Sequence, residues 1–223
     1  MDPLLEKAFD LRLQLPGHSL FVGMSMSGKT RLVLHLLRNI HTFTPVPRYV
    51  LFLFDQFQEE YEAVKSHLQK QGIEMQLRQG ASITLDEIEK REHQSLIIID
   101  DATEETASSS DIAKITTNGR HKNVSLWLIW HSLYTKHAAS RLIAQNVSYI
   151  FFLPSVRLIS QLHILDSQLR MNGALVSAYK QVMSDDNHRD HRYLLLDLSQ
   201  LTPSMFRLRS DVTETAQTVF LIN

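Results

Sequence analysis

The sequence predicts an α/β fold, a mainly parallel sheet sandwiched by helices. Three observations carry that expectation. Short apolar runs bounded by turn residues alternate with stretches of helical periodicity along most of the 223 residues. One run, Leu96-Ile-Ile-Ile99, is continuous and largely branched, as in a strand buried on both faces. A glycine-bounded loop, Gly23 to Thr30, stands between an apolar run and a helical stretch.

In chain order, Ser19–Gly23 (SLFVG) is the first strand. Lys29–Phe43 is a helix, with Leu32, Val33, Leu36, Leu37 and Ile40 at helical spacing. Tyr49–Phe54 (YVLFLF) is a buried strand, Glu59–Gln71 an amphipathic helix, Ile73–Leu77 a short strand and Leu85–His93 a short helix. After Leu96–Ile99, Asp111–His121 reads as a helix and Val124–Ile129, flanked by Trp130, as a strand. Lys136–Gln145 is helical and Val147–Leu153 (VSYIFFL) returns to strand. Val156–Arg170 and Ala174–Met183 are helices. Tyr193–Leu196 and Phe206–Arg209 are late strands that suit a hairpin, with Thr218–Ile222 as a last strand. Asp185–Asp190 is the clearest surface loop. No repeat, low-complexity tract or linker interrupts the chain, so residues 1–223 are expected to form a single domain.

Composition narrows the function classes. The chain is 43% apolar and 21% charged, ordinary for a soluble globular protein. Its length suffices to cover a sheet on both faces. A net charge of -1 means that any nucleic-acid contact must come from basic residues concentrated locally. The absence of cysteine excludes disulfides, thiolate nucleophiles and Cys-ligated zinc. His188 and His191, the closest pair in the late loop, would need further ligands to make a zinc site. Neither a secretory signal nor an apolar run of the roughly 18–20 residues needed to span a bilayer is visible. The expectation is a soluble, intracellular protein with no membrane anchor, not a secreted one.

Gly23-Met-Ser-Met-Ser-Gly28-Lys29-Thr30 matches G-x-x-x-x-G-K-[ST] without a mismatch, in the strand–loop–helix setting the motif requires. Such a P-loop wraps backbone N–H groups around phosphate oxygens, and the following helix N-terminus adds its partial positive charge. The candidate ATP-binding residues are Gly23, Met24, Ser25, Met26, Ser27, Gly28, Lys29, Thr30 and Arg31. Lys29 would reach the β- and γ-phosphates and Thr30 would ligate Mg²⁺.

Leu96-Ile-Ile-Ile-Asp100-Asp101 has the form of a Walker B strand. Asp100 is placed to hold Mg²⁺ and its water shell, and Asp101 to act as general base on the attacking water. Val124–Ile129 then suits the extra strand that some P-loop ATPases insert between the two Walker strands, tipped by a polar residue. Here that tip is His131 or Ser132. A histidine there could sense the γ-phosphate by hydrogen bonding.

Taken together, the Walker motifs, the strand ending in His131-Ser132 and Ser140-Arg141-Leu-Ile-Ala-Gln-Asn146-Val-Ser-Tyr-Ile-Phe-Phe152 resemble the FtsK/HerA-like viral genome-packaging ATPases. Phe43-Thr-Pro45-Val-Pro47, Phe54-Asp55-Gln56, Leu162-His-Ile-Leu165, Ala178-Tyr179-Lys180, Tyr193-Leu-Leu-Leu-Asp197-Leu and Arg207-Leu-Arg209 point within that group to the Polinton/Maverick (adintovirus-like) branch, beside the poxvirus-type members. The resemblance spans nearly the whole chain. One departure is Trp130-His131, where the family usually has Thr-Gln or similar.

The resemblance implies a P-loop NTPase of the additional-strand (RecA/FtsK-like) type. It implies a homo-oligomeric ring, hexameric or pentameric, that threads double-stranded DNA non-specifically into a capsid or its vertex, in the host nucleus or in a cytoplasmic virus factory. Each active site would be completed by a neighbour's arginine, with Arg141 the first candidate and Arg120 the second. Lys122, Lys136 and Arg157 are candidate phosphate contacts by position. Two other readings fit the nucleotide motifs. One is an ATP-binding regulatory or assembly switch with weak turnover. The other is a P-loop small-molecule kinase, against which stands the lack of an arginine-rich lid sequence.

Overall fold

The continuous apolar runs become strands because each is buried on both sides of one sheet. The structure, a computed structural model, describes residues 10–84, 87–88, 93–101, 109–134, 138–185 and 192–222. Its strands are β1 (Leu13–Gln14), β2 (Ser19–Val22), β3 (Phe43–Thr44), β4 (Tyr49–Phe54), β5 (Glu74–Gln79), β6 (Ser95–Ile99), β7 (Val124–Trp130), β8 (Tyr149–Phe152), β9 (Leu194–Asp197), β10 (Leu208–Ser210) and β11 (Thr218–Phe220). Its helices are α1 (Lys29–Arg38), α2 (Glu59–Lys70), α3 (Ser110–Asn118), α4 (Ala138–Asn146), α5 (Leu158–Leu169) and α6 (Ala174–Ser184).

Among the described residues, nine strands join one sheet in the order β11-β10-β9-β8-β2-β7-β6-β4-β5. From β5 to β8 the pairing is parallel, and β9, β10 and β11 extend it antiparallel. β7 therefore lies between the strand before the glycine loop and the strand before Asp100, the position expected of the extra strand. β1 and β3 form a separate parallel pair that the sequence did not announce.

Alternation along each strand makes two cores. In β2, Leu20 and Val22 face one core and Phe21 the other. α1 and α2 cover the Phe21 side with Leu32, Val33, Leu36, Tyr61, Val64 and Leu68. α3 to α6 cover the other side, including Ile112, Ile143, Leu162 and Leu175. The aromatic content concentrates in the first core, where Phe21 stacks on Phe151 with ring centroids 4.5 Å apart.

Two helices are shorter than expected. The helix predicted over Lys29–Phe43 ends at Arg38, where Asn39 Nδ2 donates to the His35 carbonyl and a 3₁₀ turn follows over Ile40–Thr42. Pro45 disfavours helix at Thr44, and the chain turns into β3. The helix predicted over Asp111–His121 ends at Asn118 and tightens to 3₁₀ over Gly119–Lys122. Most of Leu85–His93 and of the Asp185–Asp190 loop lies outside the described residues.

Candidate active site

Parallel strands share a direction, so the segments following β2, β4, β6 and β7 all emerge at one edge of the sheet. That edge collects the glycine loop, Asp55 to Gln58, Asp100–Asp101 and His131. Between them lies a cleft of about 560 Å³, within the size range of ligand pockets, ~300–1,000 Å³.

The glycine loop needs its two glycines for different reasons. A Cβ on Gly23 would fall 2.5 Å from Ser27 Oγ and 2.9 Å from Leu153 Cβ, so the close packing of loop on β8 excludes a side chain. Gly28 adopts a φ of 89° directly before α1, a left-handed conformation that costs glycine little. Between them Met24, Ser25 and Met26 are exposed.

Lys29 opens α1 and folds its side chain back over the loop. Its Nζ donates to the carbonyls of Gly23 (3.0 Å) and Met24 (2.8 Å). Burial lowers the ammonium pKa, and the charges of Asp101 and Asp100 act against that shift. Nζ also lies 3.5 Å from His131 Nδ1. An ammonium only donates, so Nδ1 can pair with it only as an acceptor. Nε2 donates to Asp101 Oδ1 at 2.8 Å. Asp101 reaches that position with a left-handed φ of 55°, a region where aspartate is enriched among non-glycine residues.

Thr30 Oγ1 donates to Asp100 Oδ1 at 2.8 Å. The buried Tyr61 hydroxyl donates to Asp100 Oδ2, also at 2.8 Å. Burial pushes the Asp100 carboxyl above the ordinary range, against the hydrogen bonds from Tyr61 and Thr30. A hydroxyl and a carboxylate oxygen held together are the hard donors that Mg²⁺ takes, so these residues fit the ion. Among the described residues no cluster of three or more His, Asp or Glu side chains could hold a metal, and His188 and His191 lie outside them.

The remaining candidates scatter. Arg31 is exposed and lines the cleft. Arg141 is exposed in the first turn of α4. Arg120 lies at the opposite edge of the sheet, where its Nη2 donates to the Asn146 carbonyl (2.6 Å) and to Ser148 Oγ (3.2 Å). The structure does not bring it to its own chain's cleft. Lys122 shares that far edge, Arg157 precedes α5, and Lys136 lies outside the described residues. Tyr61 and the Asp55–Gln58 segment were not anticipated as site residues. They enter because β4 neighbours β6, a pairing that local periodicity does not reveal.

Beside Arg120, His18 is buried at the start of β2, and its Nδ1 accepts from the Leu126 N–H at 3.0 Å. Burial first, then the Arg120 charge, lowers its pKa from 6.5 to about 3. The unfolded chain therefore binds the proton more readily than the native one. The contribution of His18 is complete above pH 6.5 and falls away as pH drops toward 3. The loss at pH 5 should be about 2 kcal/mol, at about 1.4 kcal/mol per pH unit. Urea unfolding at pH 7 and pH 5 should show that loss in the wild type and not in His18→Gln. An equal loss in both would remove His18 from the account.

The family model described as "Poxvirus A32 protein" matches residues 6–197. No curated protein sequence matches the chain. Among solved structures, the genome packaging NTPase B204 from Sulfolobus turreted icosahedral virus 2, in complex with ATP-gammaS, superposes with a TM-score of 0.54 at 13% identity, covering 92% of this chain and 96% of that one. The same protein in complex with AMPPCP gives 0.52 at 14% identity, with the same coverage. At such identity the likeness establishes a shared fold and nothing more.

Proposed function

The chain belongs to the family of the poxvirus A32 protein, and on that premise we propose that it is an ATP-hydrolysing motor that packages double-stranded viral or virus-like DNA into a capsid. The observation that carries this reading is the convergence, at the tip of β7, of Lys29, His131 and Asp101 beside the Thr30–Asp100 pair. That is the set needed for phosphoryl transfer to water: a cation for the phosphates, a metal-binding pair and a base. The packaging role is the one named for B204 and is carried to this chain as part of the proposal.

In this mechanism the glycine loop and Lys29 bind the phosphates, the ammonium exchanging its two loop carbonyls for phosphate oxygens. Thr30 and Asp100 would hold Mg²⁺, which would supply charge neutralisation at the phosphate oxygens. Asp101 accepts the proton of the attacking water. His131 orients that carboxylate from Nε2. One ATPase domain acts per subunit in a hexameric or pentameric ring, where Arg141 enters the neighbour's cleft and basic residues grip DNA phosphates without sequence preference. No described helix is long and apolar enough to cross a membrane. The motor works in the host nucleus or a cytoplasmic virus factory, against capsid or vertex proteins.

A second reading has one observation in its favour. The Asp101 carboxylate is already engaged by His131, which suits an ATP-dependent assembly switch with weak turnover. Steady-state hydrolysis with and without long double-stranded DNA, at low and moderate salt, separates the two. The motor predicts DNA stimulation that fades as salt rises. Asp101→Asn should keep ATP binding and lose turnover by at least ~10²-fold. Arg141→Ala should bind ATP, fail to turn over, and recover activity when mixed with Lys29→Ala subunits. Tight binding with negligible turnover in the wild type, DNA present or absent, would select the switch instead.

A further inference from the structure

We infer that Tyr61 is a positioning residue of the metal site, fixing the Asp100 carboxylate so that one oxygen is committed to the protein and the other is presented beside Thr30. The inference rests on the nucleotide-hydrolysing reading of the cleft and names a residue that neither Walker motif contains.

The geometry is that of a clamp. Asp100 Oδ2 accepts from Tyr61 and Oδ1 from Thr30, both at 2.8 Å, so each oxygen is held by a different partner. The Asp100 backbone is fixed as well, its N–H donating to the Leu53 carbonyl of β4 at 2.9 Å. Tyr61 itself has no freedom to leave. Its ring is fully buried in the first turn of α2 and packs on Phe52 and Phe54 at centroid distances of 4.7 and 5.3 Å, with Phe57 edge-on at 6.0 Å. Swinging the phenol away would strand a hydroxyl in an apolar pocket, which costs about 1–3 kcal/mol. Because this hydroxyl stays protonated throughout the physiological range, it is a permanent donor.

A carboxylate free to rotate can offer a cation either oxygen or both. With Oδ2 tied to Tyr61, Asp100 offers Oδ1 alone, next to the Thr30 hydroxyl. Partners of this kind behind a metal ligand are typically worth ~10–100-fold in metal affinity or activity.

The test is Mn²⁺ binding to the ADP-loaded protein, followed by electron paramagnetic resonance, for wild type, Tyr61→Phe, Asp100→Ala and the double variant. Tyr61→Phe keeps the ring and its packing and removes only the hydroxyl. It should weaken Mn²⁺ binding about 10-fold while leaving metal-free nucleotide binding near wild type. In the Asp100→Ala background the same change should have no effect on Mn²⁺, since there is no carboxylate left to orient. Wild-type Mn²⁺ affinity in Tyr61→Phe, or an equal loss with and without Asp100, would overturn the inference. Failure of the underlying reading looks different: the wild type would then bind no Mn²⁺ that depends on both nucleotide and Asp100.

Discussion

Replacing Lys29 with alanine should lower ATP turnover by about 10³-fold, the scale expected when one preorganised donor is removed from a developing charge. The argument is local. Lys29 Nζ lies 3.5 Å from His131 at the tip of β7, and both of its strong bonds run to carbonyls of the loop that would wrap the phosphates. Two protein carbonyls are weaker partners for an ammonium than phosphate oxygens, because only the latter carry net charge. The lysine is therefore poised to transfer. Its removal takes no apolar contact from either core, so the variant should fold with nearly wild-type stability. Turnover by coupled assay and binding of a fluorescent ATP analogue check the two halves separately. Turnover within tenfold of wild type would mean that Lys29 serves the loop's own structure and not the phosphates.

The largest effect on stability should come from the far end of the sheet. Asp197 ends β9 and is 1% exposed, and Arg209 of β10 is 0% exposed. Arg209 Nη2 donates to Asp197 Oδ2 at 2.5 Å, while Nη1 donates to the Leu11 carbonyl and to Gln217. The carboxylate also accepts from Ser199 N–H and Thr202. Asp197→Ala leaves a guanidinium buried without its counter-charge, which should cost about 3–5 kcal/mol. That is a large share of a typical total of ~5–15 kcal/mol. Urea unfolding, followed by fluorescence of the buried Trp127 and Trp130, gives the number. Replacing both partners with apolar residues should be milder than the single change, because the penalty lies in the orphaned charge. A single variant that loses under about 1 kcal/mol would show that water reaches Arg209.

What could be read in advance follows physical range. Tyr49–Phe54 and Leu96–Ile99 are legible as strands because burial on both faces leaves a continuous apolar run, which is a local signal. The glycine loop is legible because two backbone requirements, close approach at Gly23 and positive φ at Gly28, demand specific residues at fixed spacing. A polar tip after the strand at Val124 was also visible, and His131 is that tip. Strand order is a long-range property; the place of β7 was anticipated only through likeness to other P-loop ATPases, and what β4 brings beside β6 was hidden. Within the amphipathic helix expected over Glu59–Gln71 nothing local sets Tyr61 apart, and only the pairing of β4 with β6 explains its bond to Asp100. Arg120 offered no sign that a carbonyl at Asn146, 26 residues away, would engage it. The β1–β3 pair is two residues long on each side, too short for any period to register.

β7 has a mechanical consequence of its own. All seven of its residues are buried, and it is laddered to β2 on one side and to β6 on the other. A slip of one residue would turn its seven side chains into the wrong cores, so it cannot slide alone. The centre of the sheet is in effect a stiff plate with both Walker strands bonded to it. Whatever travel accompanies phosphate release must be taken up at the rim, in the loops, or by the whole plate tilting as a rigid body.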